Sequence, residues 1–472
     1  MKHSNIVLGL LAVKAFAGTA TFNTDIAPIL YEHCAECHRP GQVAPFPLLT
    51  YQDAAKRAGL IATVTATRLM PPWKPEAGYG HFLDERRLSE QQINLFRQWA
   101  ERGALEGDPQ KKPSPPEFVS GFRAGKPDAV FTIREAFPIP ADGEDIVQCF
   151  VVPLGLEADR YVRTVEFQPG NARVVHHALF FLDRGGAARR LDAATPEPGY
   201  PCFGSPKFAP SGILGGWAPG ATPQPFFEGM ALPIKKGADL VIQIHYHPSG
   251  RPETDQSSIG LTFTEQPQRG LAYMVVGKRL MDLSPGDAHH VVTDWAEVPQ
   301  DVELVNIAPH AHLLCKEMKV EARLPDGSTK SLIWIKDWDF NWQGEYRYLE
   351  PVKLPKGTRI ELQYVYDNSA ANRRNPSSPP QRVTFGEQTT DEMALLFLMV
   401  AVPRFEDTTA FYRSLSISIL DQFFGDGIDP IALTPTQIEG LRKAMAHFGA
   451  NHNGKLEPEE RTALLRFLKL IP

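Results

Sequence analysis

The chain has 472 residues with a formal net charge of −6, 43% hydrophobic residues and 22% charged residues. At roughly 150 residues per domain, this length predicts about three domains. The sequence has no long basic run, which argues against a nucleic acid as partner. Its 42 prolines are disfavoured inside helices and tolerated in loops and at sheet edges. We therefore expect a mainly β, multidomain protein.

The first 17 residues have the pattern of an export signal. Lys2 and His3 form a polar start, residues 6–13 form an apolar core, and Ala15-Phe16-Ala17 offers an A-x-A cleavage site. The apolar core is far shorter than the ~20 residues that a membrane-spanning helix needs. We predict a signal peptide over residues 1–17, no membrane span, and an exported protein that is periplasmic or secreted.

Residues 34–38 read Cys-Ala-Glu-Cys-His, a C-x-x-C-H motif. Two thiols at this spacing on one turn can bond both vinyl groups of a haem, which places His38 beneath the iron as an axial ligand. A zinc site would need a second ligand pair nearby, and a redox C-x-x-C would need a βαβ context. The neighbouring sequence supplies neither. The motif therefore predicts one haem c, bound covalently through Cys34 and Cys37.

The sequence around this motif has the pattern of a small all-α cytochrome. Apolar residues recur at helical spacing over residues 23–33, 51–69 and 89–103. Ser89 is a suitable N-cap for the third helix, and Gly103 stands near its end. We expect a cytochrome c domain here, over residues 20–108.

A second axial ligand is expected between the last two of these helices. Met70 precedes two prolines in the stretch Arg-Leu-Met-Pro-Pro-Trp. A lone methionine is usually a packing residue, but a thioether at this place in a cytochrome-sized domain suits a haem iron and raises its reduction potential. Met70 is the predicted ligand, and His33 and His81 are the alternatives.

A charged, proline-rich segment follows, and residues 109–127 are predicted to be a semi-rigid linker. Beyond it, short strand-like runs alternate with Gly and Pro turns, which is typical of β-sandwiches. The length fits two sandwiches, over residues 128–266 and 267–405. Within the first, residues 161–167 and 174–182 flank a Pro-Gly-Asn turn and predict a hairpin.

Three pairs of histidines stand in apolar, strand-like contexts. Neutral imidazole is a common protein ligand of copper and zinc. Residues two apart in a strand share a face, so a His-x-His pair can chelate one metal, whereas adjacent histidines need a bulge or a strand end. By spacing alone, the two His-x-His pairs are the better chelates. The pairs are His176 and His177, His245 and His247, and His310 and His312.

Five motifs occur in order: RVVHHALFFLD, GGWAPGATPQPF, LVIQIHYHPSG, PHAHLLCK and TTDEMALLFLM. Over roughly residues 128–405 the chain resembles the type II copper, ascorbate-dependent monooxygenases, the family of peptidylglycine α-hydroxylating monooxygenase and dopamine β-monooxygenase. The resemblance implies two jelly-roll-like β-sandwich subdomains, each holding one copper ion. It also implies hydroxylation of a C–H bond by O2.

The same resemblance implies a ligand set for each copper ion. The matching positions are His176, His177 and His245 for the electron-transfer copper, and His310, His312 and Met393 for the oxygen-binding copper, where the last three are the candidate catalytic residues. A soft thioether favours Cu(I), the state that reacts with dioxygen. The family pattern does not need His247, which is expected to be either a supporting residue behind the ligands or a residue without a role at the site.

Two of the five cysteines belong to the haem motif. Cys149 and Cys202 are able to pair in an oxidising compartment, and they fall where the family tends to carry a disulfide in its first subdomain. We expect this disulfide bond, which leaves Cys315 without a disulfide partner.

The chain departs from the family at the substrate. Peptide-amidating members hold a substrate carboxylate with Arg, Asn and Tyr, and these places are Ala308, Leu395 and Phe397 here. Without a cationic or hydroxyl group the site cannot repay the desolvation of a carboxylate, so an apolar small substrate is expected. The fused haem is a second departure. We expect it to relay electrons from a periplasmic donor or an ascorbate-like reductant.

Residues 430–472 predict a helix-loop-helix, with amphipathic helices over residues 433–448 and 458–470. The loop between them resembles an EF-hand, with Gly454 at the turn position and Glu460 at the bidentate position. Gly449 replaces the usual first Asp, and the two ligand positions after it carry neutral Asn. Both a weak calcium site and a metal-free structural loop are compatible with this sequence.

Together these patterns predict a copper-dependent monooxygenase, an oxidoreductase that carries its own haem c domain as electron entry. The alternative is a non-catalytic periplasmic electron-transfer or copper-binding haem protein on the same scaffold. The three histidine pairs and Met393 favour the enzyme, because a carrier needs only one copper site. The expected partners are a small-molecule substrate, O2 and an electron donor.

Overall fold

A computed structural model describes residues 19–42, 44–119, 121–203, 205–221, 223–265, 267–426, 435–448 and 456–467. The predicted signal peptide lies outside these residues. The chain divides into two compact units, Met1–Trp73 with Arg86–Glu117, and Lys74–Glu85 with Phe118–Pro472. The larger unit is built mainly of strands, which confirms the mainly β prediction.

The smaller unit is helical and has its own apolar core. Its described elements are a π-helical turn over Phe22–Ile26, α1 (Ala27–His33), α2 (Tyr51–Ala55), α3 (Ala58–Ala66), α4 (Glu90–Glu101) and a 3-10 turn over Pro109–Lys111. Phe22, Phe96 and Trp99 are fully buried. The Phe22 and Trp99 ring centres lie 6.3 Å apart, so the π-helical turn packs against α4.

The caps of α4 follow the prediction. The Ser89 hydroxyl accepts a hydrogen bond from the Gln92 N–H at 3.2 Å, and the Gln92 side chain accepts from the Ser89 N–H at 2.8 Å. This reciprocal capping box satisfies two N–H groups that a helix start leaves unpaired. Gly103, just past the end, has a φ of 82°, the left-handed conformation that commonly ends a helix.

The single helix predicted over residues 51–69 is wrong. Arg57 leaves the helical conformation, with φ −123° and ψ 13°, and separates α2 from α3. Its guanidinium carbon lies 4.2 Å from the centre of the Phe46 ring, and its Nη1 donates to the Asp53 carbonyl at 3.1 Å. These contacts hold Arg57 in the interrupted conformation, and α3 ends at Ala66.

The segment Lys74–Glu85 belongs to the larger unit. It forms isolated β-bridges from Pro75 to Ile335 and from Phe82 to Tyr348. The larger unit resumes at Phe118, inside the predicted linker.

The larger unit contains strands of two to nine residues. They are β1 (Ala129–Thr132), β2 (Phe137–Ile139), β3 (Ile146–Pro153), β4 (Arg160–Gln168), β5 (Val175–Asp183), β6 (Tyr200–Pro201), β7 (Gly212–Trp217), β8 (Met230–Ile234), β9 (Asp239–Tyr246), β10 (Glu253–Asp255), β11 (Ser258–Thr264), β12 (Arg269–Gly277), β13 (Asp282–Leu283), β14 (His290–Glu297), β15 (Val302–His310), β16 (Cys315–Arg323), β17 (Thr329–Ile335), β18 (Tyr346–Leu354), β19 (Arg359–Tyr366), β20 (Val383–Thr384) and β21 (Leu395–Ala401). Its described helices are α5 (Ala187–Asp192), α6 (Asp407–Asp426), α7 (Pro435–Phe448) and α8 (Pro458–Phe467).

One eight-stranded sheet runs through both halves of this unit, in the order β1-β11-β4-β8-β12-β21-β15-β18. The halves meet where β8 and β12 run parallel and pair Met230 with Arg269. In the first half, the sheet β6-β3-β9-β5-β7 shares one apolar core with β4, β8 and β11. In the second half, the sheet β14-β19-β16-β17 lies against β21, where the Tyr364 hydroxyl donates to the Leu395 carbonyl at 2.7 Å.

The two strands predicted as a hairpin exist, but the hairpin is wrong. β4 pairs with β11 and β8, whereas β5 pairs with β9 and β7 in the other sheet. The turn between them is therefore an arch across the core, and the Phe167 and Phe180 ring centres face each other there at 5.4 Å. Apolar alternation on both strands is equally compatible with side-by-side pairing and with face-to-face packing.

The chain ends in helices. α7 and α8 lie where helices were predicted, and α6 is a 20-residue helix that was not. The loop residues 449–455 lie outside the described residues. No helix within the described ranges is both long and apolar enough to cross a membrane.

Candidate metal centre

The first histidine group forms where β5 and β9 pair. β5 carries a bulge at His176: Val175 pairs with Tyr246 and His177 pairs directly with His245, with the register shifted in between. A bulge turns two adjacent side chains toward one side. This is the condition under which neighbouring histidines were expected to share a metal.

The three imidazoles of this group converge. One ring nitrogen from each of His176, His177 and His245 lies within 4.8 Å of the others. The Nδ1 atoms of His176 and His177 are 3.1 Å apart. Three imidazole nitrogens at this spacing are suited to hold a transition metal ion.

A carboxylate stands behind the third imidazole. Asp145 Oδ2 lies 3.1 Å from His245 Nε2, although that nitrogen is not aligned for a regular hydrogen bond. Oδ1 lies 2.6 Å from His247 Nδ1, and the Thr389 hydroxyl donates to the same carboxylate. Burial alone would raise the pKa of this carboxyl, but the two imidazoles and the hydroxyl hold it well below its usual range. Asp145 therefore stays ionised beside His245.

His247 occupies the far side of this carboxylate. Its side chain is 68% exposed, against 5% for His245, and it is not one of the three converging residues. The structure thus places His247 behind the group through Asp145, the supporting place that the sequence reasoning gave it.

The second histidine group lies at the end of β15. His310 is the last residue of that strand, and His312 follows it. Their ring centres are 5.3 Å apart. The Nδ1 of His310 lies 2.5 Å from Gln343 Oε1, and the Nδ1 of His312 lies 3.1 Å from the Asp391 carbonyl. Because both partners are acceptors, each Nδ1 carries the proton and each Nε2 keeps its lone pair for a metal.

Met393 lies beside this second group in the fold. The buried Glu392 carboxylate accepts hydrogen bonds from the N–H groups of His312, Leu314 and Met393, at 2.9, 2.6 and 3.0 Å. The Tyr366 hydroxyl donates to the Met393 carbonyl at 2.6 Å. The segment that carries Met393 is therefore fixed to the segment that carries His312.

The two histidine groups adjoin each other. The ring centres of His177 and His310 are 6.2 Å apart. Phe340 also bridges the groups, with its ring centre 5.0 Å from His176 and 5.5 Å from His312. The predicted ligand imidazoles from three motifs therefore form one contiguous cluster.

Burial favours the neutral form of four of these histidines, His176, His177, His310 and His312. Desolvation lowers the pKa of His176 to about 4, with the neighbouring His245 contributing in the same direction. Desolvation likewise lowers the pKa of His310 to about 3 and that of His312 to about 4. Neutral imidazole is the form that binds metal, so these rings are ready ligands at neutral pH.

The haem motif lies in the smaller unit, directly after α1. The His38 N–H donates to the Cys34 carbonyl at 2.9 Å, which makes the motif a tight turn. The His38 Nδ1 lies 3.0 Å from the Phe46 carbonyl, so Nε2 keeps its lone pair. No disulfide joins Cys34 to Cys37, and burial, followed by the nearby Cys37, raises the pKa of the Cys34 thiol to about 12.

The candidates for the sixth haem position differ in their surroundings. Met70 is half-buried, and its N–H donates to the Val64 carbonyl at 3.0 Å. His33 has one ring nitrogen 3.3 Å from Gln92 Nε2. His81 belongs to the segment of the larger unit. Of the three, Met70 and His33 share the smaller unit with the C-x-x-C-H motif.

The expected disulfide is present, since Cys149 on β3 is bonded to Cys202. Cys315 is buried at the start of β16. At the C-terminus, the Glu460 carboxylate accepts a hydrogen bond from the Glu457 N–H at 2.9 Å. That contact fits a helix-capping role for Glu460 at the start of α8.

Sequence reasoning missed Asp145, Gln343 and Phe340, which touch the histidines from distant parts of the chain. No spacing rule connects them to the histidine motifs. Only Asp145 had a local signal, as an acidic residue directly before an apolar strand.

Comparison with known proteins assigns no family. No family model and no curated protein sequence matches the chain. Among solved structures it is similar to the major capsid protein P2 from bacteriophage PM2, with 8% identity, coverage of 52% of this chain and 99% of that chain, and a TM-score of 0.22. It is also similar to the VP2 subviral particle of infectious bursal disease virus, with 8% identity, coverage of 74% and 96%, and a TM-score of 0.16. Likenesses this weak carry no argument about function.

Proposed function

We propose that the chain is a copper-dependent monooxygenase that hydroxylates a C–H bond of a small, largely apolar substrate. The observation that carries the proposal is the convergence of five imidazoles from three motifs into one cluster. In the reaction, one atom of O2 enters the new C–OH bond and the other leaves as water. Two electrons and two protons are consumed.

The donor set fits copper. His176, His177 and His245 would hold one ion, and nitrogen-only coordination suits a copper that cycles between Cu(I) and Cu(II). A second ion would take Nε2 of His310 and of His312, with the Met393 thioether as third ligand. When bound, the ions supply dioxygen activation and one-electron transfer, while Gln343 and the Asp391 carbonyl fix the ring tautomers of His310 and His312.

The smaller unit fits a haem c. Cys34 and Cys37 would form the thioether bonds, His38 would bind the iron through Nε2, and Met70 would be the second axial ligand. The acceptor at the Phe46 carbonyl fixes the ring orientation of His38, as is usual for metal-bound imidazole. A bound haem supplies one-electron redox chemistry, and its donor would be a periplasmic protein or an ascorbate-like reductant. Covalent haem and the disulfide both suit an exported protein.

Oxygen uptake by the full-length, metal-loaded protein tests the proposal. We expect two coppers and one haem per chain, and oxygen consumption that depends on a hydrocarbon-rich substrate. Met393→Ala should abolish oxygenation and leave the haem spectrum unchanged. Met318→Leu, at a fully buried methionine of β16, is the matched control and should keep activity. Full activity in Met393→Ala would show that the oxygen site is assigned to the wrong residue.

The haem's role needs a separate kinetic test. In stopped flow, the reduced protein is mixed with oxygen and substrate while the haem spectrum is followed. We expect haem reoxidation that requires copper. Equal rates with and without copper would show that the haem does not relay electrons to the copper sites.

A further inference from the structure

One face of the eight-stranded sheet leads away from the metal centre. On β12, β21 and β15, cross-strand neighbours form three rows. The rows are Gly277–Leu395–His310, then Val275–Phe397–Ala308, then Tyr273–Met399–Asn306. Successive rows are two residues apart, so all these positions share one face, at about 7 Å per row. His310 thus begins a path that ends about 13 Å away at Asn306.

The middle row is apolar and only half-buried. Val275, Phe397 and Ala308 all keep part of their accessible surface. On the opposite face of the same strands, Leu396 and Leu398 are completely buried. The middle row therefore lines an accessible recess, and we call these three residues the floor.

The far row presents polar atoms without partners. Tyr273 and Asn306 are 7% and 8% exposed. The Tyr273 hydroxyl and the Asn306 Oδ1 are buried and have no hydrogen-bond partner among the described residues. An unsatisfied buried polar group costs free energy, so such groups usually face a ligand or a bound water.

Glu345 joins this polar end, just before β18 and beside the row of Asn306. Its carboxylate accepts a hydrogen bond from Asn306 Nδ2. The Glu345 side chain is exposed, although desolvation by the protein around it raises its pKa to about 7. Its contact with Asn306 places the carboxylate beside the unpartnered Asn306 Oδ1.

The nearby cation is engaged elsewhere. Arg347, the strand partner of Asn306, donates from its guanidinium to the Pro225 carbonyl at 2.6 Å and to Gln224 Oε1 at 3.0 Å. The polar end therefore offers the Glu345 carboxylate and the Asn306 carbonyl oxygen as acceptors, and the Tyr273 hydroxyl, which can accept or donate.

We propose that this recess binds a substrate with two parts, a hydrocarbon part on the floor and a hydrogen-bond-donating group, ammonium or hydroxyl, at Glu345, Asn306 and Tyr273. The inference rests on the proposed function, because it supplies the substrate class for the same site. Acceptors attract donors and repel carboxylates. The hydrocarbon part spans the distance between this anchor and the His310 end, where the C–H bond would react.

Binding to the full-length protein tests the recess without relying on turnover. Four probes share one carbon skeleton: phenylpropylamine, phenylpropanol, propylbenzene and phenylpropanoate. Equilibrium binding is measured with metal-free and with copper-loaded protein. We expect the amine and the alcohol to bind about tenfold or more tightly than propylbenzene, and the carboxylate to bind worst. The amine-to-alcohol ratio identifies which donor the site prefers.

Variants localise the effect. Glu345→Gln should weaken the amine about tenfold and the alcohol less, because a charged partner is lost. Glu350→Gln, an exposed residue of the adjoining strand β18, is the matched control and should leave the binding of all four probes unchanged. Phe397→Ala should weaken all four probes alike. Equal binding of the four probes to the unaltered protein would overturn the proposal even if a variant failed to fold.

The outcomes separate this proposal from the proposed function. Donor-selective binding to a protein that shows no oxygen uptake would support the proposed recess and refute the proposed monooxygenase function. Oxygen uptake with other compounds, combined with no donor preference among the probes, would refute the proposed recess and leave the proposed monooxygenase function standing.

Discussion

The two histidine groups of the metal centre differ in what stands behind their rings. His245 backs onto the ionised Asp145 carboxylate, which also contacts His247. The Nδ1 atoms of His310 and His312 instead contact neutral oxygens, those of the Gln343 amide and of the Asp391 carbonyl. Both arrangements orient a ring, but only the first places a carboxylate against a ligand ring, because Glu392 contacts backbone N–H groups in the second group.

This difference has a consequence for redox chemistry. A carboxylate behind an imidazole raises the ligand's basicity and stabilises the more highly charged metal state. Neutral acceptors fix the tautomer without adding charge, which leaves the second group better suited to Cu(I), particularly beside a thioether. With copper bound as proposed, these partners would suit the two adjacent sites to different roles.

Removal of one histidine group gives the largest expected effect. His310→Ala combined with His312→Ala should lower copper from two ions to one per chain and abolish oxygen uptake. Metal analysis of the loaded protein measures this. His289→Ala, an exposed histidine before β14, should retain both ions. Loss of both ions in the double variant would mean that the two groups form a single site.

Asp145→Asn tests the charged side of the comparison. The variant keeps the size of the side chain and removes its charge, so copper affinity at the first group should fall roughly 10- to 100-fold. A competitive chelator titration measures each site. The copper affinity of the second site should be unchanged. As a control, Asp159→Asn, which alters a surface carboxylate that pairs with Lys235, should not change the copper affinity of either site. An equal loss at both sites would point to a general structural defect.

Gln343→Glu tests the neutral side. A carboxylate behind His310 should stabilise Cu(II) at the second site and lower its reduction potential. The expected change in Cu(II) affinity is about tenfold, smaller than the largest effect of Asp145→Asn because His312 keeps its neutral partner. Gln343→Leu, without any acceptor, should weaken binding instead. Identical behaviour of the two variants would show that charge behind the ring has no influence.

The pH dependence of stability is the smallest expected effect. The pKa of His176 is about 4 and that of His310 about 3 in the folded state, below the ordinary 6.5. Between these values the unfolded chain binds more protons than the folded one, so stability falls as pH drops from about 6.5 toward 4. Urea unfolding of metal-free protein at several pH values measures this. His310→Asn should flatten the dependence, and an unchanged slope would contradict the burial of that ring.

The candidate ligand histidines could be predicted from the sequence, but the residues that contact their rings could not. The family resemblance implied the five ring positions, whereas spacing alone favoured His247 as the partner of His245. The need for a bulge or a strand end at His176 was foreseeable, because adjacent strand residues face opposite sides. The partners Asp145 and Gln343 could not be predicted, since each lies far along the chain from the histidine it contacts. Register across sheets brings them together, and spacing along one strand contains no information about register.

The errors have the same origin. Strands β4 and β5 were located correctly, yet their pairing was wrong because alternation fixes which residues point inward and not which strand lies alongside. The break at Arg57 depended on a contact with Phe46 that a helical pattern does not encode. The caps of α4 were predicted correctly, because Ser89 and Gln92 satisfy each other within one turn.

Copper titration of the full-length protein, followed by metal analysis and by electron paramagnetic resonance, tests the central claim most directly. Convergent imidazoles should give two tightly bound coppers per chain, with nitrogen hyperfine structure in the Cu(II) spectrum. A preparation that holds less than one copper per chain, or a Cu(II) spectrum without nitrogen ligands, would contradict the assignment of this cluster as a copper centre.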